Sequence, residues 1–414
     1  MPNIPAQVYP SSLTWLGIGR EAPGATGTPV APTNLIPLDS GTYEPEDTPQ
    51  WLMDEAIRYS MAKTFAVIQG PEDASFSYGG PVFGDVYGFF LDNAFGDMST
   101  TGTPDATAST TLASPTVVGA TTCTVTSGTG FAIAQHVQIG TGASAEVVTL
   151  SAVAGTALTF TTTPLRFAHA AAQAAVTVIG PYTHKWAILN ADAGWGNGQP
   201  PTHTASDYTG ITASVGARSY PSLAVSGLDF TGNAEQLFTA KVTGNSWVSA
   251  PNGMTPTPST QFVVPSPAWR STVTVGGSSV YDIGEWGISI KRDLKVYWTD
   301  QGAQNPFIIA RGNLDATGTL AYSVAVNETP LTQMLANTQP AIVVTMDNGL
   351  AGLNQITFTF NLHAAAFIKA KPTRSEVLVG YEDEFTAVAN STDVGGSAGL
   401  GPMTCTLLNN VPTY

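Results

Sequence analysis

The chain has 414 residues, more than one typical domain, and its 43% hydrophobic and 9% aromatic content suffices for a packed core. Only 11% of residues are charged and the balance is −15, which disfavours ordinary nucleic-acid binding, because that needs Lys and Arg to displace phosphate counterions. So few surface charges lead us to expect much surface buried against other copies of the chain. The acidity has two readings: an acidic conduit that keeps DNA from sticking to its wall, or a simple aid to solubility. Two cysteines, Cys123 and Cys405, are no disulfide framework and fit a reducing cytoplasm. The first residues, Met1 to Gly19, lack the basic start and apolar stretch of a signal peptide, and no apolar run approaches a membrane span. We therefore expect a protein made in the cytoplasm, without membrane insertion.

In chain order, the segment from Gly27 to Lys63 is rich in Pro and weakly patterned, yet carries Tyr43, Trp51 and Tyr59. A long irregular segment usually takes its order from contacts, so these three aromatics are candidate inter-subunit contacts. Within it, Pro49 to Tyr59 offers a possible helix, with Thr48 as cap and Pro49 in the first turn. Strands are expected at Lys63–Gln69 and Asp73–Tyr78. A helix is expected from about Asp85, as cap, to Phe95; Val86, Phe89 and Phe90 form its apolar stripe and Gly96 its stop. Gly88 counts against that helix.

From Asp105 to Ile179 the composition changes: there is no Lys, and the only charged residues are Asp105, Glu146 and Arg166. Short alternating pieces at 122–126, 136–139, 145–150, 157–162 and 174–179 predict a small all-β domain inserted at 105–180, between two parts of a larger unit at 1–104 and 181–414. Beyond it come a strand from Lys185 to Asn190 and a hairpin from Leu223 to Phe230 and Gln236 to Val242. Further strands are expected at Gly287–Trp298, Ala341–Met346 and Glu384–Asn390, with Leu320, Tyr322, Val324 and Val326 alternating on another. The clearest places Ile356, Phe358, Phe360 and Leu362 on one face. Many half-buried strands between turns predict a mainly β sandwich or barrel with one packed helix.

Candidate chemistry is sparse. His136, His169 and Glu146 suit zinc in type, but their spacing matches no ligand pattern, which favours polar turn residues. His184 and His203 beside Trp186 and Trp195 suggest a sugar cleft; without paired carboxylates nearby, hydrolysis is unsupported and aromatic packing is preferred. Glu46-Asp47, Glu72-Asp73 and Glu382-Asp383-Glu384 follow no calcium-loop pattern and read as solvated turns. The densest basic run, Lys291-Arg292-Asp293-Leu294-Lys295, suits inter-subunit salt bridges better than DNA. No nucleophile arrangement is detectable, so neither enzymatic activity nor a cofactor is expected.

Several segments carry a resemblance. They are Gly17-Ile18-Gly19-Arg20-Glu21, the stretch from His184 to Gly244 with Gly196–Thr204 and Arg218-Ser219-Tyr220-Pro221, the run Ser289–Tyr297, Ile309-Ala310-Arg311-Gly312, Glu328-Thr329-Pro330-Leu331 and Lys369–Val377. Together they resemble the major tail tube proteins of long-tailed, actinophage-type bacteriophages. The resemblance implies a β-sandwich protomer with one packed helix that forms hexameric rings, strands of neighbours merging around a channel. Rings would stack into a virion tail tube through which DNA passes without specific binding, with tail terminator, baseplate and tape-measure proteins as partners and assembly in the host cytoplasm. The insert departs from a minimal tube subunit and is expected to face outward. The rival readings are another virion β-protein, such as a decoration or baseplate component, and a carbohydrate-binding β-protein.

Overall fold

Period-two alternation in the sequence becomes an antiparallel architecture throughout. The computed structural model describes residues 14–22, 27–39, 42–101, 108–133, 135–141, 144–161, 164–172, 174–190, 198–208, 217–252, 263–324, 329–350, 354–374, 377–411 and 414. One sheet runs in the spatial order Tyr43–Asp54, Ala66–Pro81, Thr239–Ser246, Arg218–Asn233, Ile283–Tyr297, Ile308–Tyr322, Val379–Ala387 and Ala365–Arg374. The first part of Arg218–Asn233 also pairs with His203–Tyr208, which continues the sheet to Trp15–Arg20 and Asn34–Ile36. A second sheet runs Ser278–Val280, Thr272–Val275, Ile342–Asp347, Thr357–Leu362, Thr404–Asn409, Tyr182–Ile188 and Gly96–Thr101.

The two sheets face each other across an aromatic core, as in a sandwich. Phe230 and Trp286 of the first sheet, with Phe238, meet Phe358 and Phe360 of the second, and the rings of Phe230 and Phe360 lie 4.9 Å apart. Offset and edge-on pairs of this kind add about 0.5–1.5 kcal/mol each beyond the area they bury. The helix Gly88–Phe95 is buried over its whole length against the same core. A side chain at Gly88 would collide with the ring of Tyr414, so this glycine serves a close approach. Gly96 takes φ +85° and ends the helix in the left-handed region.

Between the strands Gly96–Thr101 and Tyr182–Ile188 lies a second, smaller core. Ser109–Thr111, Ala175–Gly180, His136–Ile139 and Glu146–Thr149 form one sheet; Ala152–Ala154, Ala157–Thr159 and Thr122–Thr124 form another. Leu112, Val125, Val137, Leu158, Phe160 and Val176 are buried together there, in a cluster that shares no residue with the aromatic core. The chain leaves and re-enters the second sheet on adjacent strands, with Thr101 opposite Thr183.

Several expectations need correction. Pro49 to Asp54 belongs to a strand, not a helix, because the alternating Glu44–Thr48 stretch pairs with Ala66–Pro81 and carries the chain on through Asp54. The segment from Gly27 to Lys63 is therefore not irregular throughout, and Lys63–Gln69 and Asp73–Tyr78 are one strand beginning at Ala66. Asp85 does not cap the helix, whose first flanking residue is Tyr87 and which has no side-chain cap. The strand through Leu320 stops at Tyr322, leaving Val324 outside it and partly exposed, while Val326 lies outside the described residues. A second, short helix occupies Thr329–Leu335, where the sequence suggested none.

Candidate assembly surfaces and the network behind them

Three features of the fold bear on function: an exposed hairpin, a polar sheet face and a buried polar network. The hairpin is the distal half of Tyr43–Asp54 and Ala66–Pro81 with the turn between them. Trp51, Leu52, Met53, Val67 and Ile68 are all more than half exposed, and Ile57, Tyr59 and Met61 are almost wholly so. Apolar side chains stand on both sides of this ribbon, and among the described residues nothing covers them. Its charges are matched internally, Asp54 with Arg58 and Glu55 with Lys63. At its base, Gln304 donates to the carbonyl of Gly70 at 3.0 Å and accepts from the Glu72 N–H at 3.0 Å. The tip of the Ile283–Tyr297/Ile308–Tyr322 hairpin thus braces the ribbon where it leaves the body.

The outer face of the long sheet is the reverse of apolar. Following the ladders, one row reads Glu44, Ser77, Thr243, Gly227, Lys291, Asp315. The next reads Gly79, Lys241, Asp229, Ser289, Thr317, Thr386, and the next Thr239, Thr231, Gly287, Thr319, Glu384, Lys369. Small hydroxyl and glycine positions dominate. Glu46, Asp73, Glu285 and Glu382 add further carboxylates to the same face and Lys371 a further ammonium, so acids exceed bases. The alternate positions, Leu228, Phe230, Ile288 and Ile290 among them, point into the core.

Behind this sheet, residues far apart in the chain converge on the C-terminal end of the buried helix. Arg292 donates to the Ala94 carbonyl at 2.6 Å, and Arg311 to the carbonyls of Asn93 at 3.3 Å and Pro201 at 3.1 Å. The carbonyls of Ala94 and Asn93 belong to the negative pole of the helix terminus, which cations stabilise. Asn93 donates to Leu223 O and His203 Nδ1, and accepts from the Val225 N–H. Asp92 lies 3.2 Å from Arg20 Nε and 3.8 Å from His203 Nε2. Glu21 accepts from Ser222 N–H at 2.6 Å, Thr204 at 2.8 Å and Thr202 at 2.6 Å. Burial raises Asp92 to about 7, against the pull of Arg20 and Arg311. Burial, then Arg20 and Arg311, hold His203 neutral, its pKa well below the usual value. Arg311 is pushed down to about 9, burial first and Arg292 second, and stays charged at neutral pH.

Apart from the helix, the segments that converge here, with Arg20 and Glu21, Pro201 to Thr204, Ser222 to Val225, Arg292 and Arg311, are among those that carried the sequence resemblance, so part of the resemblance lies in a folding core. Residues 11–399 match the family model described as phage tail tube protein. The chain belongs to that family. A search of the curated proteins finds no match. In this tail tube protein the motif Gly17-Ile18-Gly19 is a packing feature: a side chain at Gly17 would strike Pro32, and one at Gly19 the carbonyl of Ala31.

The residues singled out in the sequence fall in several places. Trp51 and Tyr59 stand on the exposed hairpin, whereas Tyr43 lies at its base, partly buried and edge-on to Phe76 with ring centres 5.7 Å apart. His169 and Glu146 do meet, at 2.7 Å, but His136 pairs with Thr149 instead, and no group of three or more potential metal ligands occurs among the described residues. His184 and Trp186 are fully buried and His203 belongs to the network, so the described part of the suggested sugar cleft is core; Trp195 is outside the described residues. Asp47 accepts from Ser249, Asp73 from Thr48, and Glu382 and Glu384 from Lys369. Asp383 is buried, so the acidic run there is not a wholly solvated turn. In the basic run, Arg292 is buried on the helix terminus rather than available to a neighbouring subunit, while Lys291 and Lys295 are exposed. Sequence reading missed the network itself; its only signal was that Arg20, Glu21, Arg292 and Arg311 all sit in the family-like segments.

Proposed function

We propose that copies of this protein polymerise as stacked hexameric rings into the phage tail tube, and that the tube conducts DNA during ejection without catalysis. The observation that carries this reading is the long antiparallel sheet with one apolar face buried and one polar face of Ser, Thr, Gly and carboxylates. Such a face, turned to the channel, carries more acids than bases, and that excess repels phosphates. The exposed hairpin supplies what a stack needs, an apolar element left uncovered among the described residues, and Trp51 and Tyr59 are its contacts with a neighbouring ring. The smaller core at 105–180 lies on the outer side of the tube. Terminator, baseplate and tape-measure proteins are the expected neighbours, and assembly takes place in the host cytoplasm.

The test is electron microscopy of purified wild-type protein beside Trp51→Ala. Six-fold rings and tubes are expected for the wild type, and shorter polymers with unchanged circular dichroism for the variant. Wild-type protein that forms only single rings or stays monomeric would favour a decoration or baseplate role instead.

A further inference from the structure

Among the described residues, the eight-strand path of the long sheet that leaves out the branch to Asn34–Ile36 ends in Tyr43–Asp54 on one side and Ala365–Arg374 on the other. Their outer-face charges are opposite. The first edge presents Glu44 and Glu46, both exposed. The second presents Lys369 and Lys371 at the same two-residue spacing. The chain has only 15 Lys and Arg in all, so three within Lys369, Lys371 and Arg374 is a local concentration. Lys369 already serves Glu384 at 2.5 Å and Glu382 at 3.5 Å in its own chain, whereas Lys371 is exposed beside Glu382 on the adjacent strand.

Neither edge is open to a full ladder. Pro45 and Pro49 interrupt the donors of the first, and Pro372 those of the second. Prolines and charges on edge strands block indiscriminate pairing. The strands between the two edges alternate in direction along an even-numbered path, so a second copy placed side by side meets the first edge antiparallel to the second.

We infer that the acidic edge at Glu44 and Glu46 of one copy seats against the basic edge at Lys371 and Lys369 of the next, in a seam whose register is set by side-chain charge. This deepens the ring reading above and rests on it. A head-to-tail contact of this kind is heterologous, and it closes into a ring when the rotation between copies allows. Opposite charges also exclude the wrong pairings: two acidic edges or two basic edges repel. Along the ladders Glu46 lies in the row of Ser75 and Asn245, while Lys369 lies in the row of Thr231 and Thr239, so opposing them staggers neighbouring copies along the strands. Stagger is what a closed, tilted barrel requires.

The experiment uses the full chain and charge reversal on each edge. Lys371→Glu and the pair Glu44→Lys with Glu46→Lys are purified separately, and then combined in one chain. Sedimentation velocity and electron microscopy should show each edge variant needing at least roughly tenfold more protein to form rings, with circular dichroism unchanged. The combined variant should regain assembly close to wild type. If wild-type rings form and the reversals leave them unaffected, or the combined variant fails to recover, the seam is wrong and the tube reading stands. Wild-type protein that forms no rings at any concentration overturns both.

Discussion

The body and the insert are both antiparallel β-structure, but they are held together differently. In the body, residues hundreds of positions apart meet: Arg20 donates to the Tyr414 carbonyl at 2.9 Å, and Arg311 reaches back to Asn93. Large aromatic rings and a buried polar network supply the specificity. The insert has a core of Val, Leu and Ile with Phe131 and Phe160, made by segments close in sequence. Its buried polar contact is local, His169 with Glu146, and Glu146 also accepts from the Arg166 and Phe167 backbone at 2.6 and 3.1 Å. From this contrast we expect that the body forms only when most of the chain is present, while the insert folds from its own residues. Its short-range closure carries a smaller entropic cost.

The strongest way to break this comparison is to replace residues 105–179 with a short Gly/Ser linker. The larger unit should keep its own calorimetric transition and its near-ultraviolet dichroism, and its tubes should be thinner. A deleted variant that is soluble and folded but never polymerises would place the insert in the assembly interface. Next in size is Arg311→Ala, which strips the helix terminus of a buried cation. A loss of about 3–5 kcal/mol from the body is expected, with the insert's transition unmoved. Leu158→Ala should do the converse, lowering the insert alone by about 2–5 kcal/mol in denaturant titration, because Leu158 is fully buried in the smaller cluster. Equal loss in both units after either substitution would show that they unfold together.

The smallest effect concerns pH. Burial raises the Asp383 carboxyl to about 7, and neither oxygen has a hydrogen-bond partner among the described residues. The folded state therefore holds a proton that the unfolded chain releases near 4. Stability from this group is complete below that value and is lost as pH rises through about 7. Asp383→Asn should remove that loss, stabilising the body at pH 8 by about 1–2 kcal/mol relative to pH 5. A midpoint difference identical at the two pH values would show that the carboxyl is not buried as described.

What was legible in the sequence follows from which faces are buried. Phe358, Phe360 and Leu362 alternate with polar residues because Thr357–Leu362 has one face in the core, and the strand could be read directly. The Leu223–Phe230 hairpin was readable for the same reason, and so was the change in composition at the insert. Tyr43–Asp54 was not, because from Gln50 to Met53 its successive side chains are all largely exposed and period two disappears. Its prolines then suggested a helix start where they guard an edge. The buried network was illegible for a third reason. Arg20, Arg292 and Arg311 have the composition of surface residues, and only the fold brings them to one helix terminus. The candidate contacts were half visible: Trp51 and Tyr59 were noticed as aromatics without a pattern, but Lys371 and Glu44 become meaningful only as opposite ends of one sheet.

The joint between Thr101 and Thr183 has a consequence of its own. Neighbouring strands are about 5 Å apart, so whatever fills the gap between these two positions need only have termini that lie side by side. To the sheet, the whole insert is an overgrown reverse turn. Turns are where chains tolerate replacement, so this one is a natural splice point. A different small module with adjacent ends could be grafted there, and every protomer of an assembled polymer would carry a copy of the cargo.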